Sequence, residues 1–221
     1  MNENTTKIHG VDLITHNDMV VHAYNKHGAF EPETFEMFET MINNTASVKT
    51  PIFADIGAYT GIYSLYAAQR GCDVHAFEPN PYVYKRLLKN ITEHPNGGYI
   101  NAHKCAISIA NGYADFYVNP NVLLTSGGSL ESDIKPNKEK VRVQVEEYDG
   151  TFPIPDIIKM DVEGHEIKAL EGMIETIQFG KPCIIIESNS VEHTQKLVDW
   201  FSEIDYELKH RCDGRNLVFG S

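Results

Sequence analysis

Apolar residues along the chain gather into short runs separated by polar, glycine-bearing joints, and two periodicities alternate. The runs at 52–54, 73–77 (DVHAF), 157–160 and 183–186 are brief and nearly continuous, as strands buried on both faces of a parallel sheet must be. Helical spacing fills the gaps. Residues 62–70 stop at Gly71, 81–94 carry Val83, Leu87, Leu88 and Ile91 on one stripe, and 166–177 and 191–204 read as two further helices. A third strand is predicted over 99–109, with Ala106 and Ile107 near its carboxyl end. Strands at 114–118 and 141–145 flank a long Ser/Gly/Pro-bearing loop over 119–137. Residues 206–211 and 217–219 close the chain as an antiparallel pair around Asp213-Gly214. Upstream, 11–21 alternates in part and reads as one or two short strands. The helix over 31–42 has Pro32 in its first turn and presents Phe35, Phe38, Met41 and Ile42, and 43–50 is a polar linker. The order predicts an α/β fold built on a doubly wound, mostly parallel sheet with an antiparallel C-terminal strand. It also predicts one domain: a body over 51–221, an N-terminal extension over 1–50 and an insertion or flap at about 111–150.

The joint that carries chemistry is PIFADIGAYTG, residues 51–61. A buried strand runs into Asp55, a turn holding Gly57 and Gly61, and a helix. Glycine allows positive φ and close backbone approach, and the helix start turns its free N–H groups toward a ligand. This is a cradle for a nucleoside cofactor, with Gly57, Ala58, Tyr59 and Gly61 as its backbone. Glu78, about 20 positions after Gly57, stands where an acid accepts hydrogen bonds from ribose hydroxyls, and Pro79 and Asn80 follow it. A ribose is common to NAD and S-adenosylmethionine. The turn itself reads DxGxxxG, with Ala58 where a dinucleotide fingerprint requires a second glycine. Asp55 would repel a pyrophosphate and suits the ammonium group of a methionine tail, which favours S-adenosyl-L-methionine over NAD.

Composition narrows the partners. The 221 residues suffice for one sizeable core, with 42% hydrophobic and 23% charged residues. A net charge of −12 argues against a nucleic-acid partner, whose phosphates need a basic face. No apolar run reaches the roughly 20 residues of a membrane span, and the first ten residues lack a secretory pattern, so a cytoplasmic location is expected. Cys72, Cys105, Cys183 and Cys212 lie far apart and are expected as small core residues. The scattered histidines give no metal-binding spacing, so no metal is expected.

Three stretches, ADIGAYTGIYSLYAA (54–68), HAFEPNPYVYKRLLKN (75–90) and IIKMDVEGHEIKALEGM (157–173), resemble the FkbM family of S-adenosylmethionine-dependent methyltransferases. The pattern DVEGxExxxLxG, carried by Asp161, Val162, Glu163, Gly164, Glu166, Leu170 and Gly172, is the specific part. CIIIESN (183–189) and GAFEPETFEMF (28–38) are similar to family segments as well. Tyr59 stands where the family commonly has Asn. The resemblance implies a Rossmann-like fold of the class I methyltransferase type, S-adenosylmethionine as cofactor, and a hydroxyl acceptor on a small molecule, sugar or glycan. An amine acceptor, or a cofactor-binding module without transfer, are the alternatives. The loop TSGGSLES (125–132), with Ser129, is similar to a family loop near the acceptor.

A hydroxyl that accepts a methyl group has to lose its proton, which invites a general base. Asp161, ending the fourth strand, should lie nearest the reacting centre and also the cofactor. His165 is a second base candidate, and Glu163 either shares the site or caps the following helix. Glu187 ends the next strand beside them, and Glu31 stands to close over the crevice from the N-terminal helix.

Overall fold

In chain order the elements of the computed structural model are β1 (Thr5–Ile8), β2 (Val11–Ile14), α1 (Met19–His27), α2 (Pro32–Ala46), β3 (Ile52–Ile56), α3 (Ile62–Gln69), β4 (Asp73–Phe77), α4 (Pro81–Glu93), a 3-10 turn at Gly97–Tyr99, β5 (Ile100–His103), β6 (Cys105–Ile107), β7 (Gly112–Val118), β8 (Glu139–Glu146), β9 (Ile157–Met160), α5 (Glu166–Glu171), α6 (Ile174–Gly180), β10 (Cys183–Glu187), α7 (Val191–Ser202), β11 (Glu207–Cys212) and β12 (Asn216–Gly220). The structure describes residues 5–14, 19–118, 128–131 and 139–221. Much of the predicted loop at 119–137, and parts of the stretches 11–21 and 125–132, lie outside them.

The main sheet has seven strands in the order β11-β12-β10-β9-β3-β4-β5. β5, β4, β3, β9 and β10 are mutually parallel, and β12 is antiparallel to both β10 and β11. From β3 the chain moves outward through β4 and β5, then returns to β9 on the other side. The reversal puts a switch point between β3 and β9, where carboxyl ends open a crevice. Alternate strand residues feed two apolar layers. Phe53, Val74, Ile157 and Ile185 face α2, α3 and the β1–β2 hairpin, while Ile56, Phe77, Ile158, Met160 and Ile186 face α5 and α7. Each such side chain, fully buried, stabilises the fold by about 1.5–3 kcal/mol.

Four local expectations need correction. Residues 19–21 begin a helix, not a strand: Val20 and Val21 are buried and Tyr24 packs behind them at helical spacing, which outweighs the short alternation. α2 continues to Ala46, into the stretch read as linker. The strand over 99–109 is two strands. β5 pairs with β4 as far as His103, after which the chain leaves the main sheet and β6 joins a second sheet of order β6-β8-β7. Ala106 and Ile107 therefore belong to the second sheet. The helix over 166–177 is also broken. The Gly172 carbonyl accepts the N–H groups of Tyr148 and Asp149, and the Asp149 carboxylate takes those of Glu175 and Thr176, restarting the helix as α6. Of the cysteines, Cys72, Cys105 and Cys212 are buried, whereas Cys183 is exposed at the start of β10.

α2 carries Glu31 at its N-terminus, and that end is held from far away in sequence. Glu31 has φ 45° and makes no side-chain cap. Asp213, in the β11–β12 turn, supplies one: its Oδ2 accepts the Thr34 N–H at 2.9 Å and the Thr34 hydroxyl at 2.7 Å, while the Glu33 carboxylate accepts the Asp213 N–H at 2.7 Å. Removing a helix cap costs about 1 kcal/mol and at most about 2. Asp213→Ala is expected to lower Tm by about 2–8 °C in a thermal melt. An unchanged Tm would show that the cap carries no weight.

Candidate active site

The crevice beyond β3 and β9 has a volume of about 400 Å³, within the range of small-molecule sites. The turn after β3 forms its floor. Gly57 and Ala58 both donate backbone N–H groups to the Phe77 carbonyl, and Asp161 donates its own to the Ile56 carbonyl. Gly57 has φ +86°, and a Cβ there would lie 1.9 Å from the Asp161 carbonyl oxygen. The glycine thus lets the turn lie directly against the end of β9. Tyr59 has φ 52°, the left-handed region in which Asn is comfortable, so the backbone shape survives the Asn-to-Tyr departure.

Glu78, ending β4, ties the turn from the other side. Its Oε2 accepts the Tyr59 N–H at 3.0 Å and its Oε1 the Asn80 N–H at 2.8 Å. Asn80 in turn caps α4 by accepting from Tyr82 and Val83. Burial pushes the Glu78 carboxyl up to about 8, outweighing those two N–H groups. Asp55 is buried and accepts a hydrogen bond from the Ser64 hydroxyl. Its carboxyl is raised to about 6 by burial, against the pull of Ser64 and Lys159.

Asp161 directly follows β9 and Glu187 ends β10, its parallel neighbour, so the two carboxyls come close enough for the charge of one to act on the other. Burial, and then Asp161 beside it, raises Glu187 to about 9, so Glu187 keeps its proton at neutral pH. Arg215, in the β11–β12 turn, donates to Glu187 at 2.8 Å and lies 3.6 Å from Glu31. Glu31 also accepts from the Tyr63 hydroxyl. Lys159 sits behind this group, buried on the same sheet face.

His165 is placed differently from the expectation of a free base. Its Nδ1 lies 2.8 Å from Glu131 Oε1 and its Nε2 3.0 Å from the Ser108 hydroxyl. Burial lowers its pKa despite Glu131, so the ring is neutral. The Nδ1–H then donates to Glu131 and Nε2 accepts from Ser108. With both ring nitrogens engaged, His165 is built to hold the segment 128–131 against the corner rather than to take a substrate proton. Ser129 serves the same contact: its hydroxyl donates to the Glu163 carbonyl at 2.9 Å and accepts the Glu131 N–H. Glu163 itself has φ 55°, turning the chain toward α5.

Of the residues singled out from sequence, Glu31, Asp55, Gly57, Ala58, Tyr59, Glu78, Pro79, Asn80, Ala106, Ile107, Asp161, Glu163, His165 and Glu187 line the crevice. Gly61 stands behind it as the residue preceding α3, and the Ser129 side chain is spent on the loop. Sequence reasoning missed Lys159, Tyr63 and Arg215. A lysine inside an otherwise apolar buried strand is rare enough to have marked the first.

The raised carboxyls have a consequence for stability. Asp55, Glu78 and Glu187 keep their protons in the fold at pH values where an unfolded chain has lost them. Their contribution is full below the ordinary carboxyl range and is lost as pH rises through about 6, about 8 and about 9. The ligand-free Tm should therefore fall between pH 6 and pH 9, and Glu187→Gln should flatten the upper part of that fall. Parallel curves for the two proteins in thermal melts would contradict the assignment.

The strand order, the antiparallel C-terminal pair and a crevice at the β3–β9 switch define the class I methyltransferase type of α/β fold. The sequence model of the methyltransferase FkbM domain matches residues 55–211, and the chain belongs to the FkbM methyltransferase family. Hexuronic acid methyltransferase AglP of Haloferax volcanii is 28% identical over 126 residues, covering 56% of this chain and 50% of that protein. Methyltransferase sdnD of Sordaria araneosa is 25% identical over 158 residues, covering 57% of this chain and 61% of that one. The chain thus spans only 50% to 61% of the length of these relatives. Two solved structures share the fold. The FkbM methyltransferase of Methylobacillus flagellatus KT has TM-score 0.58 and 20% identity, over 83% of this chain and 48% of that one. A SAM-dependent O-methyltransferase of Thermotoga maritima has TM-score 0.53 and 11% identity, over 99% and 77%. Among the described residues no helix is long and apolar enough to cross a membrane.

Proposed function

We propose that the protein is an S-adenosylmethionine-dependent O-methyltransferase whose acceptor is a hydroxyl on a small molecule, sugar or glycan. The observation that carries this reading is the Asp161–Glu187 carboxyl pair at the switch point, beside a glycine turn ringed by acids. The donor set fits a sulfonium cofactor. Acids at Asp55, Glu78 and Asp161 suit its positive charges and ribose hydroxyls, and they oppose a pyrophosphate. When bound, the cofactor supplies an activated methyl group.

The chain's own residues supply alignment and proton handling. The 57–61 turn and Glu78 would hold the nucleoside, with Ala106 and Ile107 flanking the base. Holding donor and acceptor in line can account for about 7–11 kcal/mol of barrier. Asp161 would accept the acceptor's proton, with Glu187 donating a hydrogen bond to the same carboxylate and Arg215 fixing Glu187 in place. Glu31 and Arg215 would border the acceptor, held by the Tyr63 and Asp213 contacts. The hexuronic acid acceptor named for the Haloferax relative supports a sugar-type acceptor here.

The test is transfer of labelled methyl groups from S-adenosylmethionine to a panel of sugar hydroxyls, uronic acids and amines. Label on hydroxyl oxygen supports the reading. Label on amines alone would replace it with N-methylation, and cofactor binding without any transfer would leave a binding module.

A further inference from the structure

Lys159 is a charged crevice residue whose chemistry the reading above does not use. It lies in β9 with 2% of its surface exposed, yet it lines the crevice. Among the described residues its ammonium forms no hydrogen bond and no direct ion pair, and it lies over the ring of Tyr63 with Nζ 5.4 Å from the centroid. Burial opposes its charge, but the carboxyls of Asp161, Glu31, Glu187 and Asp55 prevail and raise its pKa. It is thus a charged donor on a buried side chain, without a protein acceptor among the described residues, whose end reaches the crevice. A charge in that position has its donors available to a ligand that brings oxygen atoms into the crevice.

The register says where that oxygen should come from. Lys159 and Asp55 are direct partners across the parallel β9–β3 pair, so the two side chains share one face of the sheet. Asp55 precedes the Gly57 turn, and both side chains open into the crevice. A cation and an anion side by side on adjacent strands are complementary to a zwitterion. We propose that Lys159 completes the site for the cofactor's methionine tail, its ammonium receiving the α-carboxylate beside Asp55, where the α-ammonium is already expected. This rests on the cofactor assignment above. An acceptor carboxylate has the same anionic chemistry, but the adjacency to Asp55 and the glycine turn places Lys159 at the donor end.

The assignment is tested with two probes, S-adenosylmethionine and decarboxylated S-adenosylmethionine, which retains the sulfonium and the ammonium. Calorimetric titration of wild type should show the carboxylate favoured by about tenfold to a hundredfold, as a charged hydrogen bond allows. In Lys159→Met that preference should vanish through loss of affinity for the carboxylate-bearing probe alone, and Lys159→Arg should restore part of it. Equal weakening of both probes in Lys159→Met, with the preference intact, would overturn the proposal and assign Lys159 a structural role. An unchanged preference accompanied by a raised acceptor KM would overturn it in favour of the acceptor. Wild type binding neither probe would remove the cofactor assignment itself.

Discussion

Gly57→Ala is expected to abolish measurable cofactor binding and to lower Tm by about 6–12 °C, if the backbone contact is worth about 3 kcal/mol. Two effects combine. The residue sits at φ +86°, where a side chain is strained, and its new Cβ would fall 1.9 Å from the Asp161 carbonyl oxygen. That neighbour is main chain at the end of a buried strand, so it cannot rotate away. The turn must lift off β9, carrying with it the two N–H bonds from Gly57 and Ala58 to Phe77 and the Tyr59 N–H held by Glu78. Gly71→Ala is the matched control. Gly71 also has positive φ, at +79°, but nothing lies within 4 Å of its Cβ position. It should cost about 1 kcal/mol and leave binding intact. Equal behaviour of the two variants, measured by calorimetry and thermal melts, would show that close approach to Asp161 is not what the turn needs.

Asp161→Asn is expected to reduce methyl transfer by about 10²–10⁴-fold while leaving cofactor affinity within about tenfold. The amide keeps the shape of the side chain and the backbone contacts to Ile56 and Gly57. What it removes is the group that can take a proton. His165→Ala should behave differently. Both ring nitrogens are already engaged with Glu131 and Ser108, so its loss frees the segment 128–131 without removing a base. A smaller fall in rate with an unaltered pH profile is expected there. If Asp161→Asn retained full activity in single-turnover assays, the acceptor would not need this base, as with a neutral amine.

The sheet was legible because buried parallel strands leave nearly continuous apolar runs, and the glycine turn because DxGxxxG has few structural alternatives. Elements failed to read where distant chain decided local shape. The break after α5 depends on Asp149 capping α6 and on Ser108 packing at Gly172, neither visible in a helical stripe. Ala106 and Ile107 alternate like the strand before them, and only pairing with β8 takes them into another sheet. The site shows the same division. Asp55, Glu78 and Asp161 end their own strands and could be placed from topology. Arg215 enters only because β12 inserts beside β10, a neighbour relation that crosses α7 and β11. Lys159 was overlooked for the opposite reason: its strand was recognised, and its side chain was read as part of the strand.

One titration tests directly whether the crevice is a methyl-donor site. Calorimetry of the full chain with S-adenosylhomocysteine should give saturable binding at one site per chain, displaced by S-adenosylmethionine and not by NAD. Saturable binding of NAD, or no binding of either adenosyl compound, would contradict it.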